Sequence, residues 1–230
     1  MSGRNNEPEI KILERIYFFY HEAVDKMGWV CKGKCTACCT CNVTLTSLEV
    51  RYLIKALTSE EKKDLQGLIQ AKIPARRFVP RITTNGFARH CLEKKDLPEE
   101  ENDPSWGQCP LLENGLCIIY KMRPFGCRAL LSKSLCQESG YAEMPPLVMT
   151  LNQLFLQIIE HLDQGGFSGN LWDMLAFFLQ DEAPVLGLIS NEKKKGAPVF
   201  IQNEKIPVLM VPPEDQQKLK PLVDKLLNLL

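Results

Sequence analysis

The chain is predicted to be mainly α with minor β: helices around a cysteine-rich, loop-built centre, with a small C-terminal β-hairpin and helix. Three observations predict this. Apolar residues recur at alternating spacings of three and four through most long segments, which is the period of a half-buried helix. Two Thr-x-x-Glu sequences, Thr46–Glu49 and Thr58–Glu61, are capping boxes that mark helix starts. Two further stretches have no period at all, and they hold every cysteine of the ten except Cys91.

Taken in order, residues 7–27 read as a helix with the stripe Ile10, Leu13, Tyr17, Tyr20, Val24 and Met27, ended by Gly28. His21 lies beside that stripe with no second ligand at helical spacing, so it reads as a surface residue. Residues 31–41 read as a loop folded around its own sulfurs. The first capping box opens a helix to about Ala56, with Leu48, Tyr52, Leu53 and Ala56 turned inward. The second opens a helix with Leu65, Leu68, Ile69 and Ile73 on its inner face, and Pro74 ends it. Residues 76–108 carry the weakest pattern. Arg77–Thr83 reads as extended, Asn85-Gly86 as a turn and Ala88–Leu97 as a short helix carrying His90 and Cys91. An acidic loop, 98–104, follows and is closed by Trp106.

Asn114-Gly115 is a tight-turn signal between two short extended pieces, and Pro124 prevents a helix from running through the second cysteine stretch. Leu147–Leu162 is a strong amphipathic helix broken by Gly165-Gly166, and Asn170 caps the next, which runs to about Gln180. Val199–Gln202 and Ile206–Val211 flank Asn203–Lys205 as the C-terminal hairpin. Pro213 opens the last helix, whose stripe is Leu219, Leu222, Val223, Leu226, Leu227 and Leu230. His161, late in its helix, reads as a charge at the helix C-terminus. The organisation expected is a helical cysteine-cluster domain over 1–190, with its core motif at 31–136. A hairpin and helix over 191–230 would pack on the same domain.

With 230 residues, 45% of them hydrophobic, the chain is long enough for one domain with a real core. Lys+Arg and Asp+Glu both number 28, so there is no basic excess and nucleic acid is not an expected partner. The short runs Arg76-Arg77 and Lys193–Lys195 read as solvated surface. The polar start lacks the apolar core of a signal peptide. Leu147–Leu162 is too short for a membrane span and is interrupted by Asn152, Gln153, Gln157 and Glu160. The expectation is therefore a cytoplasmic chain with no membrane partner. In a reducing compartment its cysteines are better explained as metal ligands or redox groups than as structural disulfides.

The cysteines fall in two groups. The first is Cys31, Cys35, Cys38, Cys39 and Cys41, and the second is Cys109, Cys117, Cys127 and Cys136. A tight turn brings positions i and i+3 together, so Cys35-Thr-Ala-Cys38 can aim both sulfurs at one point, and a second pair from elsewhere completes a tetrahedral site. A thioredoxin-like reading lacks the strand expected before such a pair. Sulfur coordination suits zinc and iron–sulfur clusters alike, and the bacterial ferredoxin run is absent. Cys38 and Cys39 are adjacent and point apart unless the backbone is strained. They would serve two metals, or two corners of one cluster.

The downstream run is Cys109-Pro110-Leu111-Leu112, Gly115-Leu116-Cys117, Ile119-Tyr120, Arg123-Pro124 and Cys127-Arg128. Upstream stand Cys31, Cys35, Cys38 and Cys39, then Leu45-Thr46 with Glu49. Together they resemble the YkgJ-type cysteine-cluster family, described as a zinc- or iron-chelating domain that includes flagellin lysine N-methylases. The chain departs from the family pattern once, with three residues rather than two between Cys31 and Cys35. The resemblance implies eight metal-binding cysteines: Cys31, Cys35, Cys38, Cys39, Cys109, Cys117, Cys127 and Cys136. Cys41, Cys91 and His90 fall outside it. Four thiolates on Zn²⁺ leave a net charge of about −2, which calls for donors and cations around the sulfurs; Tyr120, Arg123 and Arg128 are the candidates. The cofactor implied is an iron–sulfur cluster or Zn²⁺. The leading reading is a metal-binding protein without catalysis of its own. A lysine N-methylase, which alone would need S-adenosylmethionine, is the first alternative, and a redox or iron–sulfur handling protein the second. The expected partner is a protein, as binder or as substrate.

Overall fold

Glu7–Asp25 forms helix α1, and the predicted stripe is its buried face: Ile10, Leu13, Tyr17, Tyr20 and Val24 all face inward. The structure, a computed structural model, describes residues 7–31, 35–180 and 200–230. Gly28 follows α1 at φ +67°, a left-handed conformation that glycine adopts without a Cβ clash. Both capping boxes form. Thr46 closes the first, opening α2 (Ser47–Lys55) after the short strand β1 (Thr44–Thr46). Thr58 and Glu61 close the second, opening α3 (Ser59–Lys72). Ala56 and Ile73 lie beyond the last turns of these helices and are exposed rather than inward.

Beyond α3 the chain forms α4 (Thr84–Glu93), the strands β2 (Leu112–Glu113) and β3 (Leu116–Cys117), and the single-turn helices α5 (Phe125–Arg128) and α6 (Cys136–Ser139). The long helix α7 (Pro146–Leu162) follows, then β4 (Phe167–Asn170), α8 (Leu171–Phe178), β5 (Ile201–Gln202) and α9 (Pro213–Leu227). The fold is mainly helical with a small antiparallel sheet, as predicted. Asn170 caps α8 by accepting Trp172 N, and Pro213 occupies the first turn of α9. One apolar cluster joins α1, α5, α7 and α9. There the Phe125 ring meets Tyr20 edge-on at 4.7 Å and stacks on Phe155 at 5.8 Å. A second joins α2, α3 and α8 around Leu53, Leu65 and Trp172, and takes in Leu111 and Ile119 from the second cysteine stretch. Among the described residues no helix is long and apolar enough to cross a membrane.

The predicted C-terminal hairpin does not form. β5 pairs instead with β4, whose other edge pairs with β1, giving the order β1-β4-β5. Residues 206–211 form no strand, because side chains of α7 and α4 take their backbone groups and those of Glu204. Glu204 N donates to Glu160 Oε1 at 2.8 Å, Ile206 N to His161 Nδ1 at 3.1 Å and Met210 N to Gln157 Oε1 at 2.8 Å. Gln157 Nε2 and Asn85 Nδ2 in turn donate to Val208 O and Glu204 O. His161 is therefore an acceptor inside the fold rather than a helix-end charge, and burial lowers its pKa. The expected turn at Asn85-Gly86 is the first turn of α4, since Thr83 caps it by accepting Gly86 N. Gly86 fits there because a Cβ would stand 3.0 Å from Glu204 Oε1. Arg77 is not solvated either: both arms of its guanidinium bind the buried Asp173 of α8. Val199 and the run Lys193–Lys195 lie outside the described residues.

Gln157 satisfies two backbone groups of an irregular segment at once. Gln157→Ala should lower unfolding free energy by roughly 2–4 kcal/mol in urea titrations, since it strands Val208 O and Met210 N. Asp163 accepts Ser47 Oγ and Leu48 N at the start of α2, yet burial raises its pKa to about 6. In the unfolded chain it titrates near ~3.9. The native state thus holds this proton more tightly, so the contribution to stability is complete below roughly pH 4 and is lost as pH rises through about 6. Asp163→Asn should gain stability relative to wild type between pH ~4 and ~7. A difference that does not change with pH would contradict this.

Candidate metal centre

The first cysteine loop is fixed by its own turn and by a backbone seam. Cys39 N donates to Thr36 O and Thr40 N to Cys38 O, each at 3.0 Å, which curls Cys35–Cys39 into a tight loop. Thr40 then bridges Gln108, and Cys109 N donates to Cys39 O at 2.8 Å. The seam sets Cys39 beside Cys109, from the far end of the sequence motif. Cys109 leads into the β2–β3 hairpin, whose Asn114 and Gly115 have φ +51° and +76°, the paired left-handed residues of a two-residue turn that Asn-Gly favours. Its register places Cys117 opposite Leu112.

Cys127 arrives by a different route. Pro124 caps α5 with extended backbone, and Phe125 N donates to Glu49 Oε1 at 2.7 Å. The same oxygen accepts the Tyr17 hydroxyl at 2.8 Å. Glu49 thereby holds α5, and with it Cys127, against α1 and α2. The capping box identified this carboxylate only as a helix cap. The sequence signal for its second role is its position between Leu48 and Val50, inside an otherwise buried turn. Cys31 is tied to the other end of the second stretch: Val30 N donates to Ser132 O at 3.1 Å and Ser132 N to Cys31 Sγ at 3.2 Å. Cys136 begins α6 shortly beyond.

These connections bring the two stretches to one cavity of about 100 Å³. Cys31, Cys35, Cys38, Cys39, Cys109, Cys117 and Cys127 line it, with Tyr120, Arg123 and apolar side chains such as Val43, Leu111 and Leu171. Cys136 is off the wall but close enough to Cys31 to affect its thiol electrostatically. Cys41 is fully buried in the α2–α3–α8 core, with Sγ 3.5 Å from Arg76 O. Cys91 is exposed on α4, and His90 Nδ1 lies 2.8 Å from Asp96 O in the loop beyond that helix.

Burial dominates the electrostatics. It pushes Cys127 up to about 12 and Cys109 up to about 11, with neighbouring cysteines adding to both. Cys38 donates its thiol proton toward Cys39, which raises Cys38 and lowers Cys39. Arg123 faces this group, and its charge favours the thiolates of Cys38, Cys117 and Cys127. Its guanidinium lies 4.1 Å from the centroid of the Tyr120 ring, and its Nε is buried with no hydrogen-bond partner. An orphaned cationic N–H beside protonated thiols fits a centre in which those thiols become thiolates. Arg128 does different work. Its Nε and Nη2 donate to Arg123 O and Lys121 O at 2.8 and 2.9 Å, and it stacks over Tyr17, so it holds the turn that presents Arg123.

Among the described residues no three cysteine, histidine or carboxylate side chains already converge as ion ligands. Protonated thiols have no reason to do so; a metal that displaces their protons supplies one. Residues 30–146, just over half of the chain, match the family named for the spacing CxxCxxCC and described as a domain proposed to chelate zinc or iron. No curated protein and no solved structure matches the chain.

In metal-free protein under limiting thiol reagent, peptide mapping should find Cys91 modified first and Cys41 last, with Cys39 leading the cysteines of the cavity. Early modification of Cys41 would contradict its place in the core.

Proposed function

The chain belongs to the CxxCxxCC family, and on that premise we propose that it binds zinc or iron through thiolates of its two cysteine stretches. The observation that carries the proposal is the shared cavity, to which both stretches contribute sulfur. The donor set supports this choice of metals: thiolate sulfur selects zinc or iron–sulfur clusters over the oxygen-seeking cations. Cys31, Cys35, Cys38, Cys39, Cys109, Cys117 and Cys127, which line the cavity, would hold metal, with Cys136 beside Cys31 completing the set. Bound there, it would supply a cross-link between loops that have little regular structure of their own.

Arg123 offsets the negative charge that thiolates bring into an apolar cavity, while Arg128 and Glu49 keep Arg123 and Cys127 in register. Ligand loss and loss of these supports should therefore differ in degree.

Elemental analysis and a visible spectrum of anaerobically purified protein test the proposal. Zinc or iron should co-purify; zinc leaves the protein colourless, whereas an iron–sulfur cluster gives visible sulfur-to-iron charge-transfer absorbance. Cys38→Ser and Cys127→Ser should lose the metal, whereas Cys41→Ser and Cys91→Ser should keep it. Arg123→Met should weaken retention by roughly 10–100-fold against a chelator. Full metal content in Cys127→Ser would overturn the site.

A further inference from the structure

We propose that the eight cysteines form two four-sulfur sites, divided between the adjacent residues Cys38 and Cys39. The inference rests on the metal-binding reading and deepens it. Zinc takes four sulfur ligands, and an iron–sulfur cluster takes four cysteines, so eight ligands exceed what one centre uses.

The backbone connections divide the sulfurs in the same way. One seam runs through Cys39 and Cys109, and the hairpin and α5 that follow carry Cys117 and Cys127. All four line the cavity, where Cys39 interacts electrostatically with these same three besides its neighbour Cys38, and Cys127 with Cys109 and Cys117 ahead of Cys38. A separate seam runs from Val30 and Cys31 to Ser132, just before α6. Cys31 lies near enough to Cys35, Cys38 and Cys136 to interact with them electrostatically.

Cys38 stands at the boundary, since it meets Cys39 and also lies near Cys127. It goes with the outer set because Cys35-x-x-Cys38 is a spacing at which two sulfurs reach one ion, and because Cys39 already completes the inner four. In this division two neighbouring residues on one loop supply ligands to two centres. Arg123 lines the same cavity, and its charge favours the thiolates of Cys38 in one set and of Cys117 and Cys127 in the other.

Zinc reconstitution of the metal-free chain tests the division. Wild type should bind about two zinc ions per chain, Cys117→Ser and Cys136→Ser about one each, and the double variant none. Helix content by circular dichroism checks that each variant is folded. A titration of wild type with Co²⁺, read from its sulfur charge-transfer band, needs no variant and should saturate at about two equivalents. Saturation at one equivalent, or complete zinc loss from a folded single variant, would overturn the division and leave the metal-binding proposal standing. No zinc or cobalt bound by wild type, with no iron in the anaerobically purified protein either, would overturn both.

Discussion

The Glu49 carboxylate accepts hydrogen bonds from three separate parts of the chain. Thr46 N at 2.8 Å and Thr46 Oγ1 at 3.1 Å come from the cap of α2, the Tyr17 hydroxyl at 2.8 Å from α1, and Phe125 N at 2.7 Å from α5. All of these are buried, where an unmade bond costs the full desolvation of the group left behind. One side chain therefore couples the helical frame to the turn that delivers Cys127. Phe125, completely buried between Tyr20 and Phe155, secures the same turn from its apolar side. The polar and apolar anchors sit on one residue, Phe125, two positions before a cavity cysteine.

The opposite side of the frame is held by polar atoms as well. Helix α7 contributes Gln157, Glu160 and His161 to the irregular segment that follows β5, and Asp163 just beyond it to the start of α2. Leu219 and Leu226 then bury α9 against the α1–α7 core. Two of the polar residues that break up α7 as an apolar stretch, Gln157 and Glu160, stitch the C-terminal segment to it. With the frame closed in this way, the two cysteine stretches need supply only loops, one hairpin and single-turn helices.

Where local chemistry decides structure, the sequence was legible. Both capping boxes, the Asn114-Gly115 turn, the Asn170 cap and the amphipathic stripes of α1 and α7 follow from residues a few positions apart. What depended on distant partners was not. The Phe167–Asn170 strand has neither alternation nor β-branched residues, and it forms because β1 and β5 flank it. Residues 206–211 have the composition of a strand but lose their backbone groups to α7. Asn85-Gly86 has the composition of a turn but is captured by Thr83 and packed under Glu204. The cysteine spacing pointed to two stretches meeting, and they share a cavity. The spacing held nothing of Glu49 as the tether, nor of the difference between Arg123, which faces sulfur, and Arg128, which holds backbone.

The central claim is that sulfur from both stretches binds one kind of metal in a shared, largely apolar setting. X-ray absorption at the edge of the co-purifying metal tests it most directly, because it reads the ligand atoms without a variant. The account predicts a first coordination sphere of sulfur alone, four per metal, at about 2.3 Å for zinc. A sphere dominated by nitrogen or oxygen would contradict it.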